Sequence, residues 1–351
     1  MPSAKAFPRI AVIVPYRNEL PNLPALLAAL AGQDYPTFEV ILVDDGSTDG
    51  GPAYVDNSLG AGAGAKSVKG SVATFHHLSL EADVELIAHK KAALTLGITH
   101  AEAELILTTD ADCTFPPDWL RTVAAGFTPG VEVLSGPVLN HPLAGFVHHF
   151  QALDLAAYQF LTATSIAAGS PTLANGAFFA FRKQTFYRVG GYAGVDHLPS
   201  GDDVLLLHKF RQSLPPEAFK WLTGPTVVRT RPVDGWPALW RQRLRWAGKA
   251  GHYQAPELEL AQALTFAASL SLLVLLSFTW HPRTGAPLLL AVALKFGVDY
   301  YCLRAFAYYY RTKNLLRWYF PTAVVYPLFL VTVGVAALLG FRTDWKGRSL
   351  A

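Results

Sequence analysis

The sequence predicts an α/β fold with a mostly parallel sheet, followed by a C-terminal region of α-helices that cross a membrane. The sheet is predicted because β-branched runs at residues 9–15 and 38–43 enclose a helical pattern at 20–32, which makes a βαβ unit. The membrane region is predicted from composition, since 51% of the 351 residues are hydrophobic and 16% are charged. With a mean hydropathy of +0.25, the chain is too apolar for an ordinary soluble enzyme and too polar for full membrane burial.

Acidic residues follow two of the predicted strands at the points where they end. The second strand runs into Asp44 and Asp45, and a third apolar run, residues 105–109, runs into Asp110 and Asp112. Open α/β sheets bind their ligands at this carboxyl edge. Two carboxylates one residue apart repel each other unless a cation lies between them, and oxygen ligands of this kind suit Mg or Mn. The pattern predicts a metal site that bridges a substrate diphosphate, and the alternative for one such motif is a solvated acidic turn.

The remaining segments before residue 255 alternate between strand and helix patterns. Residues 51–70 are rich in Gly, Ala and Ser, which predicts a flexible surface excursion. Apolar periodicity predicts the other elements, which are strands at 72–78 and 131–138 and helices at 89–100, 116–127, 146–168 and 204–210.

Three membrane helices are predicted in the C-terminal region. Residues 260–280 and 318–341 are uncharged and long enough to span a hydrocarbon core of ~30 Å. Between them, residues 285–303 are apolar apart from Lys295 and Asp299, whose i, i+4 spacing lets them neutralise each other inside a bilayer. A boundary at residue 255 therefore separates the α/β domain from the membrane region.

The distribution of basic residues predicts which side of the membrane the α/β domain lies on. Four cations lie between the second and third predicted helices, whereas residues 281–287 contain one arginine. The positive-inside rule then puts the α/β domain in the cytoplasm, below the plasma (inner) membrane. Three spans put the tail with Arg342, Lys346 and Arg348 outside, so either the tail breaks the rule or the last apolar run is a re-entrant hairpin.

The cysteines and the N-terminus agree with a cytoplasmic location. Cys113 and Cys302 lie far apart and form no CxxC pair, which predicts neither a disulfide framework nor a zinc site. The chain reaches a strand within its first ten residues and shows no signal-peptide core, so we expect that the first domain is not exported.

Six motifs occur in an order that resembles family 2 glycosyltransferases, over about residues 8–250. They are VIVPYRNE (12–19), VDDGSTDG (43–50), Lys90, TDADC (109–113), SGDD (200–203) and QRLRW (242–246). The resemblance implies the GT-A fold, with a nucleotide-sugar half at about 8–115 and an acceptor half at about 116–255. It also implies an inverting, metal-dependent transfer from a nucleotide-sugar, most commonly a UDP-sugar.

By similarity to that family, the donor contacts residues at the carboxyl edge of the sheet. One carboxylate of the Asp44 and Asp45 pair accepts from the base, and the other holds the loop. Lys90 contacts the diphosphate, a role that Lys91 could exchange with it. The nucleotide-sugar-binding residues implied are Pro15, Tyr16, Arg17, Glu19, Asp44, Asp45, Lys90, Asp110, Ala111 and Asp112, with Asp110 and Asp112 also holding the metal.

The SGDD motif resembles the family's acidic base motif. The resemblance implies that Asp203 removes a proton from the acceptor hydroxyl while that oxygen attacks the anomeric carbon, which inverts its configuration. Asp202 stands where the family usually has a longer Glu, and its alternative role is a helix cap.

The QRLRW segment matches the family's QxxRW signature. The resemblance implies that Trp246 stacks on the acceptor and that Arg245, with Gln242, reaches the diphosphate, so the acceptor and diphosphate residues are Gln242, Arg243, Arg245 and Trp246. By itself, a helix rich in Arg and Trp beside a membrane is more often an interfacial anchor.

Three functional hypotheses follow. The first is transfer of one sugar to a membrane-associated lipid or glycolipid. Processive β-polysaccharide synthases need more membrane spans for a polymer channel than the three predicted here, and we predict no span before the catalytic domain. Processive synthesis is the second, and a non-catalytic sugar-nucleotide-binding scaffold is the third. A nucleic-acid partner is not expected, because the basic block between residues 209 and 249 lacks a matching fold signature and adjoins a predicted membrane span. The sequence does not determine the sugar, the acceptor or the oligomeric state.

Overall fold

The computed structural model describes residues 7–60, 64–68, 71–81, 87–281, 283–341, 344–345 and 348–349. The chain divides into two compact units. The first comprises Met1–Leu139 and Ser165–Arg231, and the second comprises Asn140–Thr164 and Pro232–Ala351. The predicted boundary at residue 255 falls inside the second unit.

The first unit is built on an eight-stranded sheet with the order β10-β7-β9-β5-β1-β2-β4-β3. Strands β1, β2, β4 and β5 are parallel, while β9 runs antiparallel between β5 and β7. Another small sheet has the order β6-β11-β8. The strands are β1 Ile10–Tyr16, β2 Thr37–Asp44, β3 Gly64–Val68, β4 Ser71–Ser79, β5 Leu105–Thr108, β6 Cys113–Thr114, β7 Val133–Ser135, β8 Val138–Asn140, β9 Phe179–Arg182, β10 Phe219–Trp221 and β11 Val228–Thr230.

The helices of both units follow the predicted pattern in most places. They are α1 Leu23–Ala31, α2 Gly51–Leu59, α3 His89–His100, α4 Trp119–Gly126, α5 Gly145–Ala167, α6 Lys183–Arg188, α7 Asp202–Ser213, α8 Gly235–Ala247, α9 Pro256–Ser277, α10 Gly285–Tyr309 and α11 Tyr319–Leu338.

The core of the first unit lies where α3 packs on the sheet. Every residue of β1 and β5 is buried, as expected for strands covered on both faces. Gly97 of α3 allows the close approach, because a Cβ there would lie 2.6 Å from Ile13 Cγ2 and 3.2 Å from Val43 Cγ2. The start of α3 is thereby held beside the carboxyl ends of β1 and β2.

Two predicted segments of this unit are wrong in detail. Residues 51–59, expected in a flexible excursion, form α2, which has a proline in its first turn and buries Val55. The single strand expected at 131–138 is broken into β7 and β8 at Gly136, where a Cβ would lie 2.2 Å from the Phe178 ring. The predicted α/β fold itself, with a mostly parallel sheet, is confirmed.

The second unit contains three helices that are long and apolar enough to cross a membrane, within the residues that the structure describes. They are Pro256–Ser277, Gly285–Tyr309 and Lys313–Leu338. Large apolar side chains point outward from all three helices, such as Leu264, Leu289 and Leu328, each more than half exposed. Apolar surfaces of this size are stable in apolar surroundings, because their exposure to water is unfavourable in free energy.

The last apolar segment forms one continuous helix, so the re-entrant hairpin considered for it is wrong. Helix α11 packs tightly on α9, since a Cβ on Gly334 would lie 2.6 Å from the Phe266 ring. Residues Arg342 and Lys346 of the tail lie outside the described residues.

Candidate active site

The acidic residues predicted at strand ends meet at one edge of the sheet. Tyr16, the last residue of β1, is the register partner of Asp44, the last residue of β2. Strand β5 lies on the other side of β1, and the Thr109 amide that follows it donates to the Ile13 carbonyl at 3.2 Å. Asp44 and Asp110 therefore leave the sheet at the same edge, as the parallel pairing requires.

Lys90 joins the TDADC motif to the SGDD motif. Its Nζ lies 2.9 Å from Asp110 Oδ1 and 3.1 Å from Asp202 Oδ2. Burial by itself would lower the pKa of the Lys90 ammonium, but the charges of Asp110, Asp202 and Asp203 raise that pKa well above its usual value. The ammonium is therefore charged at neutral pH, and it neutralises a site that is otherwise strongly acidic.

Asp203 lies at the start of α7, and two backbone amides hold its carboxylate. Its Oδ2 accepts a hydrogen bond from the Gly176 amide at 2.9 Å, and its Oδ1 accepts from the Val204 amide at 2.8 Å. The N-cap of α7 is Gly201, with a φ of 83°, and Asp202 pairs with Lys90. Gly201 is therefore the N-cap residue, while Asp202 lies in the first turn of α7, where the helix dipole favours a carboxylate.

Gly176 provides the space in which these charged groups come together. An added Cβ would lie 3.3 Å from Asp202 Oδ2, 3.5 Å from Lys90 Nζ and 3.7 Å from Asp203 Oδ2. The glycine precedes β9 and is fixed by Thr108, whose hydroxyl donates to the Gly176 carbonyl at 3.0 Å. A side chain at this position would occupy the space between the lysine and the two carboxylates.

The surroundings of Asp112 are acidic, so a bound cation would stabilise its carboxylate. Thr230 of β11 donates to its Oδ2 at 3.1 Å, because β11 pairs with β6, which begins at Cys113, the last residue of the TDADC motif. Burial, followed by the charges of Asp110 and Glu19, raises the pKa of Asp112 to about 6. A divalent cation near both aspartates would remove this repulsion, so these residues fit Mg or Mn.

The protein supplies few metal ligands at this position. Across the part of the chain that the structure describes, no group of three or more His, Cys, Asp or Glu residues is arranged to hold a metal ion. Mg and related cations are commonly held by one or two carboxylates together with substrate phosphates. Asp110 and Asp112 therefore match a metal that binds with the diphosphate of a donor.

Other predicted donor residues have contacts that shape the loops after β1 and β2. The Arg17 guanidinium donates to the carbonyl oxygens of Asp45 and Gly46 at 2.6 and 2.7 Å. Both oxygens of Asp44 accept from the Ser47 amide, at 3.0 and 3.2 Å. Asp44 and Arg17 therefore stabilise the VDDGSTDG loop from inside.

The remaining donor residues lie around the same loops. Pro15 precedes Tyr16 at the end of β1, and Ala111 is buried between the two aspartates of the DAD sequence. The Tyr16 hydroxyl lies 2.7 Å from His77 Nε2, whose other ring nitrogen lies 2.6 Å from Asp56 Oδ1. Burial is the main cause that raises the pKa of Tyr16 far above its usual value. Glu19 accepts from the Asn22 side chain at 2.6 Å.

Lys91 does not share the position of Lys90. Its ammonium is buried and donates to three carbonyl oxygens of one loop, those of Val195 at 2.8 Å, Leu198 at 2.6 Å and Ser200 at 3.0 Å. Burial lowers the pKa of Lys91 to about 8. This loop runs directly into SGDD, so Lys91 fixes the segment that carries Asp203, and the exchange of roles with Lys90 is not supported.

We expect Lys91→Met to lower turnover and to reduce the free energy of unfolding by about 2–5 kcal/mol, because three partly buried carbonyl groups lose a charged donor. The matched control is Lys209→Met, since Lys209 donates to the carbonyls of Gly191 and Ala193 in the preceding stretch. Chemical unfolding and initial rates, measured for both variants, test this. Wild-type turnover in folded Lys91→Met would contradict the positioning role.

The first turn of α3 connects three predicted site loops. His89 Nδ1 lies 3.1 Å from Asp45 Oδ1, Lys90 reaches Asp110 and Asp202, and Lys91 holds the loop before SGDD. Sequence patterns missed the contacts of His89, Gly176 and Thr230, because each depends on packing between distant segments. The only local signal for Gly176 is its place in the NGAFF segment before a strand.

The QRLRW segment lies in α8 of the second unit. Arg243 and Asp154 of α5 are both buried, and the Arg243 Nε donates to Asp154 Oδ2 at 2.5 Å. The same guanidinium donates to Gln242 and lies 4.1 Å from the centre of the Trp246 ring. Arg243 therefore orders the motif from within, while Arg245 and Trp246 are partly exposed.

We expect Asp154→Asn to reduce the free energy of unfolding of the second unit by about 3–5 kcal/mol, because it leaves the Arg243 charge buried without its partner. Asp234→Asn is the control, since Asp234 pairs with His148 at the surface and its side chain is 96% exposed. That control is expected to change stability by less than about 1 kcal/mol. Equal unfolding midpoints for the two variants in detergent would show that the buried pair is not important for stability.

Two protein-family profiles together match almost the whole chain. The profile described as Glycosyl transferase family 21 matches residues 76–351, and the profile of Glycosyl transferase family 2 matches residues 11–66. The longer match is thus to family 21, whereas the motif order alone resembles family 2.

Several curated proteins are similar in sequence. A beta-monoglucosyldiacylglycerol synthase from Synechocystis sp. is 26% identical over 72% of this chain and 49% of that protein. A poly-beta-1,6-N-acetyl-D-glucosamine synthase from Staphylococcus epidermidis is 24% identical over 67% of this chain and 52% of that protein. An undecaprenyl-phosphate 4-deoxy-4-formamido-L-arabinose transferase from Aeromonas hydrophila is 30% identical over 36% of this chain and 35% of that protein. The chain thus spans about half or less of these relatives' length.

A solved structure shares the fold over most of its length. It is a mannosyltransferase from Pyrobaculum calidifontis, in complex with GDP-Man and Mn2+. The superposition has a TM-score of 0.55 at 22% identity and covers 96% of this chain and 88% of that chain. The likeness agrees with the predicted GT-A fold.

Proposed function

The chain belongs to glycosyl transferase family 21, and on that premise we propose that it transfers a sugar, with inversion, from a nucleotide-sugar to a membrane-associated lipid or glycolipid. The observation that carries the proposal is the convergence of Lys90, Asp110, Asp202 and Asp203 at the carboxyl edge of the sheet. A partly buried cation beside several carboxylates suits a substrate that brings both phosphate charge and a reacting hydroxyl.

The donor binds along this edge in the proposal. The diphosphate takes Lys90 as its cationic partner, and the nucleoside lies on the loops that Asp44 and Arg17 stabilise. Asp110 and Asp112 would hold Mg or Mn, and when bound the cation supplies positive charge that offsets the charge of the leaving diphosphate. When the donor binds, the Lys90 ammonium would exchange its contacts with the carboxylates for contacts with the phosphates. Its charge would therefore be paired both before and after donor binding. UDP-sugars are the first donors to examine, and GDP-sugars the second.

Asp203 is the proposed general base. Its Oδ2 accepts from the Gly176 amide and its Oδ1 accepts from the Val204 amide, which fixes the carboxylate. The carboxylate takes the hydroxyl proton while the oxygen bonds to the anomeric carbon, and the diphosphate leaves from the opposite face. An α-linked donor then gives a β-glycoside.

The packing of the second unit supports an acceptor that resides in the membrane. Trp236 at the start of α8 lies 5.9 Å, between ring centres, from Phe329 of α11, and Phe150 of α5 lies 5.1 Å from the same ring. The helix that carries QRLRW is thus attached to a helix long and apolar enough to cross a membrane. Trp246 and Arg245 would meet an acceptor headgroup at the membrane surface.

The proposed topology is a multi-pass protein of the plasma (inner) membrane. Helices α9, α10 and α11 cross the bilayer, and the α/β unit and the basic residues between 304 and 317 lie in the cytoplasm. A glycolipid product is consistent with the names of two similar proteins, a beta-monoglucosyldiacylglycerol synthase and an undecaprenyl-phosphate 4-deoxy-4-formamido-L-arabinose transferase.

The test is product analysis with labelled UDP- and GDP-sugars, a lipid extract and the detergent-solubilised protein. One labelled lipid carrying a single added sugar supports the proposal. A ladder of products would instead identify a processive polysaccharide synthase. Donor binding without any product in any lipid fraction would favour a non-catalytic scaffold.

We expect Gly176→Ala to lower kcat/KM by about tenfold or more, because its Cβ would displace the Asp202 carboxylate by a few tenths of an ångström and would fill the space beside Lys90. The glycine has no left-handed φ, so the alanine is compatible with its backbone. Gly251→Ala is the control, since that position has open space around it. Unchanged donor kinetics in Gly176→Ala would show that the substrate does not use this space.

A further inference from the structure

Four exposed cations lie in the last turns of α10 and on its connection to α11. We name residues 304–317 the basic loop, and its cations are Arg304, Arg311, Lys313 and Arg317. No acidic residue occurs anywhere from 300 to 341. None of the four cations makes an ion pair with a carboxylate among the described residues. The basic loop therefore carries positive charge that this part of the protein does not neutralise.

Two of these cations share one aromatic ring. The Arg304 guanidinium lies 5.0 Å from the centre of the Tyr308 ring, and the Lys313 ammonium lies 3.9 Å from the same centre. Both charges are attracted to the ring electrons but repel each other, and an external anion would reduce that repulsion. Tyr308 and its neighbour Tyr309 are about half exposed, at 49% and 54%.

The basic loop has a defined conformation. The Thr312 amide donates to the Ala307 carbonyl at 2.8 Å, and residues Lys313–Trp318 form a 3-10 helix that buries Leu315. The Trp318 ring stacks on His149 with ring centres 4.5 Å apart. The cations are therefore held at the end of α10 and the start of α11, which is headgroup depth for two helices that cross a bilayer.

We propose that the basic loop binds the phosphate headgroups of anionic phospholipids, with Arg304 and Lys313, held by Tyr308, as the principal contacts. This inference rests on the membrane insertion in the proposed function, and it adds a lipid ligand that is neither donor nor acceptor. The positive-inside rule accounts for the number of charges in the basic loop but not for two cations fixed on one ring. Charge complementarity with an anionic leaflet accounts for both.

The basic loop offers a charge-matched pair of variants. Arg304→Gln with Lys313→Gln removes the two cations on Tyr308, and Arg311→Gln with Arg317→Gln removes two others from the same loop. The two double variants have equal net charge, so any effect on insertion or orientation should be equal. Tyr308→Leu keeps every charge and removes only the ring.

Intact-protein mass spectrometry from micelles that contain equal phosphatidylglycerol and phosphatidylcholine measures which lipid is retained. We expect the wild type to retain phosphatidylglycerol preferentially. In the Arg304 and Lys313 double variant, the preference for phosphatidylglycerol should fall roughly fivefold for each cation removed. The Arg311 and Arg317 double variant should lose much less, and Tyr308→Leu should be intermediate.

Three results would overturn the inference. They are equal retention of the two lipids by the wild type, equal losses in the two double variants, and displacement of phosphatidylglycerol by millimolar inorganic phosphate, which would identify a soluble phosphate site. Lipid retention is measured without donor or acceptor, so it does not depend on glycosyl transfer. A failure of this inference is therefore distinguishable from a failure of the proposed function.

Discussion

Asp203→Asn is expected to lower the turnover number by about 10²- to 10⁴-fold while nucleotide binding stays near that of the wild type. The amide cannot take the proton of the acceptor hydroxyl. It replaces a carboxylate whose oxygens accept from the Gly176 and Val204 amides, so one of those two hydrogen bonds is also weakened. Steady-state rates, together with nucleotide titrations and unfolding midpoints, separate loss of the base from loss of folding.

Asp202→Asn provides the contrast, because Asp202 pairs with Lys90 at 3.1 Å. Its neutralisation should mainly change the affinity for the donor, since Lys90 loses a neighbouring charge. The reverse pattern, with near-normal turnover in Asp203→Asn and none in Asp202→Asn, would transfer the base role to Asp202. Near-normal turnover in both would favour an acidic acceptor such as a polyprenyl phosphate, which needs no strong base.

Asp112→Asn is expected to reduce metal-dependent turnover by about 10²- to 10³-fold, in the range found when one electrostatic contact to a developing charge is removed. Asp112 is partly buried beside Asp110, and a single amide in its place both removes a ligand and lowers the negative charge that attracts the cation. Turnover and Mn binding with nucleotide diphosphate, each measured against Mn concentration, are the readouts.

The control for this variant is Asp118→Asn, an exposed carboxylate in the same stretch of chain that makes no capping hydrogen bond. It should leave the metal dependence unchanged. If Asp112→Asn and the wild type gave the same dependence on Mn, the metal site would have to be sought elsewhere.

Local patterns were sufficient for the parts of the fold that local physics determines. The runs that became β1 and β2 are apolar and β-branched, and their parallel pairing puts Tyr16 and Asp44 side by side. Helix α3 has the bounds that its periodicity predicts. Where the prediction was wrong, a distant contact decided the result, as at Gly136, whose packing on Phe178 breaks the expected strand.

The site was predictable as a set of residues but not as an arrangement. Lys90 and Asp110 belong to recognisable motifs, but the contact of Lys90 with Asp202 joins segments 112 positions apart. The buried pair of Arg243 and Asp154 joins segments 89 positions apart. Since no local pattern encodes such pairs, the predicted acceptor role of Arg243 gave no indication of its partner.

The most direct test of glycosyl transfer to a lipid is release of nucleotide diphosphate by the purified, detergent-solubilised protein. A panel of UDP- and GDP-sugars is supplied with Mn, with Mg or with EDTA, each with and without a lipid extract. The proposed function predicts release from one donor that requires both the metal and the lipid. Metal-dependent binding of nucleotide without release from any donor would contradict it.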